Sequence, residues 1–208
     1  IAGGVGFDGV SDSLQSTANC DLLGTNSNLT LSMWINPDAT QNDDYVQIFT
    51  HDHATSPYRN FTIQQNFNND NRFYLPFTYD GTSWDGNGAG EDPVLTAGQW
   101  QHFVIVKSGT SLKHFHNGTN GMSTTVNENI TKAARKVCFG GGVGFPDRDY
   151  NGVLDEFRVS RIPRTAAWIW SEYANVASGN VYSAVISDRP LINNASGATN
   201  VTGTSTFL

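Results

Sequence analysis

Hydrophobic and polar residues alternate along most of this chain. Leu29, Leu31, Met33 and Ile35 share one face of the segment Leu29-Thr30-Leu31-Ser32-Met33-Trp34-Ile35, with period 2. Shorter strands are predicted at 45–50, 61–65 and 72–79, the last two joined by the Asn-Asn-Asp-Asn turn at 68–71. Residues 100–107 and 111–116 form a hairpin through Ser108-Gly109-Thr110, and further strands fall at 137–139 and 153–160. Only 163–173 departs from this period. Its early Pro163 and the 3–4 spacing of Ile169, Glu172 and Tyr173 predict one short helix. About ten short strands at close spacing imply an all-β antiparallel sandwich, a jelly roll, with that helix near its C-terminal end. After Asn175 the texture becomes small, polar and nearly uncharged, so residues 1–176 read as the domain. Residues 177–208 read as a linker or the start of a following fibronectin- or immunoglobulin-like module.

Composition agrees with that class. In 208 residues and 22.6 kDa, only 15% are charged, and Asn, Ser and Thr supply over a quarter. This is the texture of antiparallel sheet with a wet face, and the length suits one domain. Twelve basic against nineteen acidic residues give a net charge of −7, which argues against nucleic-acid or anionic-membrane partners, since both require phosphate neutralisation. No apolar run approaches the roughly 20 residues of a membrane-spanning helix. The opening Ile-Ala-Gly-Gly-Val-Gly-Phe is no signal peptide, so an exported module that has lost its leader, or one cut from a longer chain, is expected. Cys20 and Cys138 are compatible with one long-range disulfide or with two separate thiols, and neither sits in a zinc-binding motif.

Several blocks carry a family resemblance. Phe7-Asp8-Gly9-Val10-Ser11-Asp12-Ser13-Leu14 resembles the opening strand of the laminin-G-like, concanavalin A-like jelly rolls, and 29–37 resembles their second strand. Trp100-Gln101-His102-Phe103-Val104 with 112–118 is similar to their central hairpin, and 152–159 followed by the helix at Trp168-Ile169 to their closing segment. The blocks occur in order over about 1–176. The resemblance implies a fold used by carbohydrate-binding modules, by adhesive domains and by a minority of glycan-cleaving enzymes.

The acids speak against catalysis. The laminarinase-like enzymes of this fold carry Glu-x-Asp-x-Glu, which sets three carboxylates on one strand face. Here the only glutamates are Glu91, Glu128, Glu156 and Glu172, and none has an acid two residues away. A lyase-like set of Tyr74, Arg72, Gln64, His114 and His116 matches no complete motif, so a non-enzymatic protein is expected.

The binding candidates are more numerous. Trp84 stands among glycines and acids in 80–92, where no core can form around it, and Tyr79, Asp80, Asp85 and Asn87 flank it. An aromatic ring beside carboxylates and amides suits the C–H faces and hydroxyls of a sugar. Arg72, Tyr74, His114 and His116 would extend that surface, with the two histidines on a wet face of their strand; Trp34, Trp100, Trp168 and Trp170 read mainly as packing. His51-Asp52-His53 and His114-Phe115-His116 are also spaced as metal-binding pairs if a third ligand arrives. Asp147, Asp149 and Asn151 lie at positions 1, 3 and 5 of a partial calcium loop, with Gly152 at 6 and Asp155 at 9, but Arg158 replaces the bidentate Glu at 12. The resemblance separately implies a structural calcium held by Asp155 and backbone carbonyls near Gly9. Asn-x-Ser/Thr sequons occur at Asn28, Asn60, Asn117, Asn129, Asn194 and Asn200, where this composition produces about four by chance, so they are weak evidence of glycosylation. The resulting expectation is a monomeric, calcium-containing glycan-binding module of a secreted or cell-surface protein. An adhesion or spacer domain that contacts a cell-surface protein is the alternative.

Overall fold

The computed structural model describes residues 3–23, 27–41, 45–52, 59–66, 72–75, 77–80, 83–85, 95–131, 133–142 and 148–177. The expected loop residues Asn87 and Asp147, the turn at 68–71 and the segment 178–208 lie outside them.

The strands are β1 (Val5–Asp8), β2 (Leu14–Gln15), β3 (Leu29–Pro37), β4 (Tyr45–Asp52), β5 (Arg59–Asn66), β6 (Arg72–Tyr74), β7 (Phe77–Thr78), β8 (Trp84–Asp85), β9 (Gln101–Ser108), β10 (Ser111–His116), β11 (Thr119–Thr125), β12 (Lys136–Phe139) and β13 (Asn151–Ser160). One helix, α1 (Ala166–Ala177), follows. It starts a few residues later than its spacing predicted, because Thr165 caps it: the Thr165 hydroxyl accepts from Trp168 N at 3.3 Å; it then runs on to Ala177. The expected strand at 72–79 is split into β6 and β7, which both pair with β5.

Two sheets stack face to face. The first runs β1-β13-β3-β9-β10-β11 and the second β2-β12-β4-β5-β7-β8, with every named pairing antiparallel. This is the expected jelly-roll sandwich. The alternating residues Leu29, Leu31, Met33 and Ile35 join Phe103, Ile105 and Leu112 in the core, facing Ile48, Phe49, Phe61, Ile63, Phe73 and Phe77 from the other sheet. Phe73 stacks on Phe103 at 4.0 Å and Phe49 on Phe157 at 4.5 Å, so aromatic rings bridge the two sheets.

β9, like β3, departs from one-sided burial. Every residue from Gln101 to Lys107 is buried. α1 lies across the outer face of the first sheet, where Val104, Val106 and Phe115 pack with Ile169. A polar network completes that dock. Glu172 accepts from Ser32 Oγ at 3.0 Å and from Arg158, and His102 Nε2 stands 3.5 Å from its other oxygen.

Covering that outer face corrects the expectation for the histidines. With Phe115 turned toward α1, His114 and His116 fall on the same side as Leu112, toward the core. His114 is wholly buried, edge-on to Phe103 at 5.7 Å, and His116 bonds Gln101 Oε1 at 3.1 Å. Neither lies on a wet outer face. The two cysteines are separate free thiols. Cys20 bridges to Arg135 while Cys138 pairs with Thr50 and Gln15, about 10 Å farther along the strand by its rise per residue.

Candidate functional site

The outer face of the second sheet holds the most unusual chemistry. In β5, Phe61 and Ile63 enter the core, so Thr62 and Gln64 point the other way. The register sets Thr50 opposite Thr62 and Gln47 opposite Gln64. β4 keeps both on that face through a bulge, in which Ile48 is the extra residue and stays in the core. The four side chains are at most 6% exposed. Thr62 Oγ1 donates to Phe49 O at 2.8 Å. Gln47 Nε2 and Oε1, Thr50 Oγ1 and Gln64 Nε2 have no hydrogen-bond partner. Buried amides and hydroxyls are nearly always paired, so four open atoms in one row call for an explanation. Gly142 backs onto this row: a β-carbon there would fall 1.5 Å from Gln47 Oε1 and displace the amide.

The hairpin β7–β8 belongs to the same sheet. Asp80 shapes its turn, accepting from Ser83 N at 2.6 Å and Ser83 Oγ at 2.7 Å, and leaves the Tyr79 ring 37% exposed. Asp85 accepts from Asn127 N, which ties the hairpin to the loop after β11. Both carboxylates therefore hold the hairpin in shape. Trp84 pairs with Thr78 through its backbone, and Tyr74 and Arg72 pair with Gln64 and Asn66; these three side chains are outside the described residues. The structure thus gathers the backbone of Arg72, Tyr74, Tyr79, Asp80, Trp84 and Asp85 onto one sheet, and separates His114 and His116 from them. Gln47, Thr50 and Thr62 were not foreseen as site residues, and Gln64 was named only in the incomplete lyase-like set. The signal was present in Phe61-Thr62-Ile63-Gln64, where polar residues alternate with core residues.

Asp155 and the residues near Gly9, the calcium donors implied by the resemblance, do not converge, and Asp147 of the partial loop lies outside the described residues. Gly9 abuts Asn151, whose side-chain amide donates to Thr40 O at 2.9 Å. Asp149 bridges to Gln47. Asp155 stands opposite Trp34, four residues along β13 from Asn151, about 13 Å away by the strand rise, and its carboxylate accepts from Glu156 N. Among the described residues no three His, Cys, Asp or Glu side chains form a metal-binding group. The donor set inferred from the resemblance therefore does not fit one ion, because the straight run of β13 holds its members apart.

Two antiparallel sheets with a helix docked on one outer face define a concanavalin A-like jelly roll. Residues 8–170 match the laminin G family of the concanavalin A-like lectin/glucanases superfamily, and the chain belongs to it. No curated protein sequence matches the chain. Among solved structures it is similar to domain 4 of an extracellular arabinanase from Geobacillus stearothermophilus, in complex with arabinotriose (19% identity, 73% of this chain and 68% of that one, TM-score 0.55). A heptameric pentraxin from Limulus polyphemus is similar over 84% of this chain and 81% of its own (20% identity, TM-score 0.60). The binding domain of botulinum neurotoxin serotype G is similar over 86% of this chain and 48% of its own (12% identity, TM-score 0.57). At these identities the likeness establishes the fold. No helix among the described residues is long and apolar enough to cross a membrane.

Proposed function

We propose that this domain is a non-catalytic glycan-binding module of an exported protein, with its site on the outer face of the second sheet. The observation that carries the reading is the row Gln47, Thr50, Gln64, whose donors and acceptors are buried and unpaired on the side of the sheet turned away from the core, so a ligand that reaches them must displace what covers them. Neutral donors and acceptors in a fixed row suit a chain of hydroxyls, which gives and takes hydrogen bonds at close intervals. Tyr79 supplies the exposed ring, with Trp84, Tyr74, Arg72 and Asn87 as further contacts. The arabinotriose held by an arabinanase domain of the same fold supports the ligand class.

Nothing in the described site supplies a carboxylate pair for acid–base cleavage. Asp80 and Asp85 are engaged as hairpin acceptors, and the row itself carries no titratable group. A panel of soluble polysaccharides, arabinan among them, tests the reading by calorimetry. A saturable heat with one of them, lost in Gln64→Ala but with the fold retained, is expected. Binding unchanged in Gln64→Ala would remove the site, and absence of any binder would transfer weight to an adhesion or spacer role.

A further inference from the structure

The opposite side of the molecule carries a second candidate site. A cavity of about 260 Å³ opens between the outer face of the first sheet and the end of α1, lined by Trp34, Trp100, Asn117, Tyr173, Val176 and Ala177. Three of its walls are aromatic. Trp34 stacks on Tyr173 at 5.8 Å, and Gly118 makes this possible, since a β-carbon there would come within 2.8 Å of the Tyr173 ring. Asn117 is held in a left-handed conformation at φ 48°, with its side-chain oxygen accepting from His102 N at 2.9 Å. That oxygen is occupied, which leaves the Asn117 Nδ2 hydrogens as donors. Trp34 is 4% exposed, and its indole Nε1 is buried with no acceptor. A buried indole N–H ordinarily finds a partner.

We infer that this cavity is a subsite for one neutral sugar ring, separate from the row on the other sheet. Aromatic faces match the C–H faces of such a ring, and the Asn117 amide N–H groups match its oxygens. An anion is disfavoured, because the Glu172 carboxylate lies just beneath, 3.5 Å from the same His102 ring that packs at a tilt against Trp34, centroids 5.1 Å apart. The volume falls short of the ~300 Å³ at which pockets for larger organic ligands begin. It therefore suits a single residue, at a chain end or a branch, and affinity in the millimolar range.

The test uses proton–nitrogen correlation spectra of the full chain titrated with arabinose, galactose, glucose and, as an anionic control, glucuronate. With at least one neutral sugar, the Trp34 indole and Asn117 side-chain signals shift saturably. Trp100→Leu weakens that binding by about tenfold through loss of one stacking wall. If Trp100→Leu also lowers the melting midpoint, Val176→Arg serves instead: Val176 is an exposed rim residue, and the arginine closes the mouth. Shifts confined to the Gln47 and Gln64 amides overturn this subsite and leave the first site standing. Shifts confined to Trp34 and Asn117 do the reverse. A response to glucuronate alone, or none at Trp34 and Asn117, overturns the inference.

Discussion

At the scale of single residues, His51 is held as a neutral ring. Asn60 Nδ2 donates to its Nδ1 at 3.1 Å, and its Nε2 therefore donates to Cys20 O at 2.9 Å. Burial pushes its pKa below the ordinary 6.5. The unfolded chain thus takes up a proton at a pH where the native protein does not. This contribution to stability is fully present above 6.5 and is lost as the pH falls from there through the native value. Melting midpoints between about pH 7.5 and 5.5 are expected to fall, and to fall less steeply in His51→Asn. An equal slope in both proteins would exclude His51 as the source. Gln47 supports the opposite kind of experiment. Its amide is buried and unpaired, so Gln47→Met, of similar volume, is expected to raise stability by about 1 kcal/mol while abolishing glycan binding. Stabilisation with binding intact would make the row an unpaired structural feature rather than a site.

At the scale of elements, α1 is attached by both apolar and polar contacts. Burial raises the Glu172 carboxyl, but the neighbouring His102, Arg158 and Ser32 together outweigh it and leave the pKa below the ordinary 4.5. Stability from this group is therefore complete above 4.5 and is lost as the pH falls through its lower native value. Glu172→Gln keeps the shape and removes the charge. Half-exposed Arg158 is well screened, so the expected cost is about 1–2 kcal/mol, read from chemical denaturation at neutral pH. A change within error would show that Ile169 and its apolar neighbours hold the helix unaided. Gly118→Ala tests the other end of the dock. It sets a β-carbon at φ 77° and against Tyr173, and is expected to cost at least about 1–2 kcal/mol. It should also shift the Trp34 and Tyr173 ring signals.

At the scale of the whole molecule, ligands that bind only the native state stabilise it by mass action, by about 2.7 kcal/mol at a free concentration a hundredfold above Kd, and so raise its melting midpoint. The calcium expectation and the glycan proposal are both open to this measurement. Because Asp155 stands apart from Asn151 and Gly9, midpoints in EDTA and in calcium are expected to coincide, while the bound polysaccharide raises the midpoint further. A large calcium shift would locate an ion among residues other than this set. A glycan shift that needs calcium would make the ion part of the sugar site.

The fold was legible in the order of residues because strand alternation is a local property. Leu29, Leu31, Met33 and Ile35 must share a face whatever lies beyond them, and Pro163 with the 3–4 spacing after it announces a helix. Alternation divides a strand into two faces but does not say which one is dry. His114 and Phe115 are adjacent, and the sequence permits either to face the core. The docking of α1 decided it by making a second apolar layer outside the first sheet, so Phe115 went to the helix and His114 inward. The same limit hid the Gln47–Gln64 row, whose pairing rests on the register and the bulge between β4 and β5, which alternation within either strand does not specify. It also concealed the separation of Asp155 from Asn151 and Gly9, since residues close in number along an extended strand are carried apart by its rise. Local periodicity thus determined the elements and their class. Which polar groups are stranded together, and on which face, was decided only by the packing of sheet on sheet and helix on sheet.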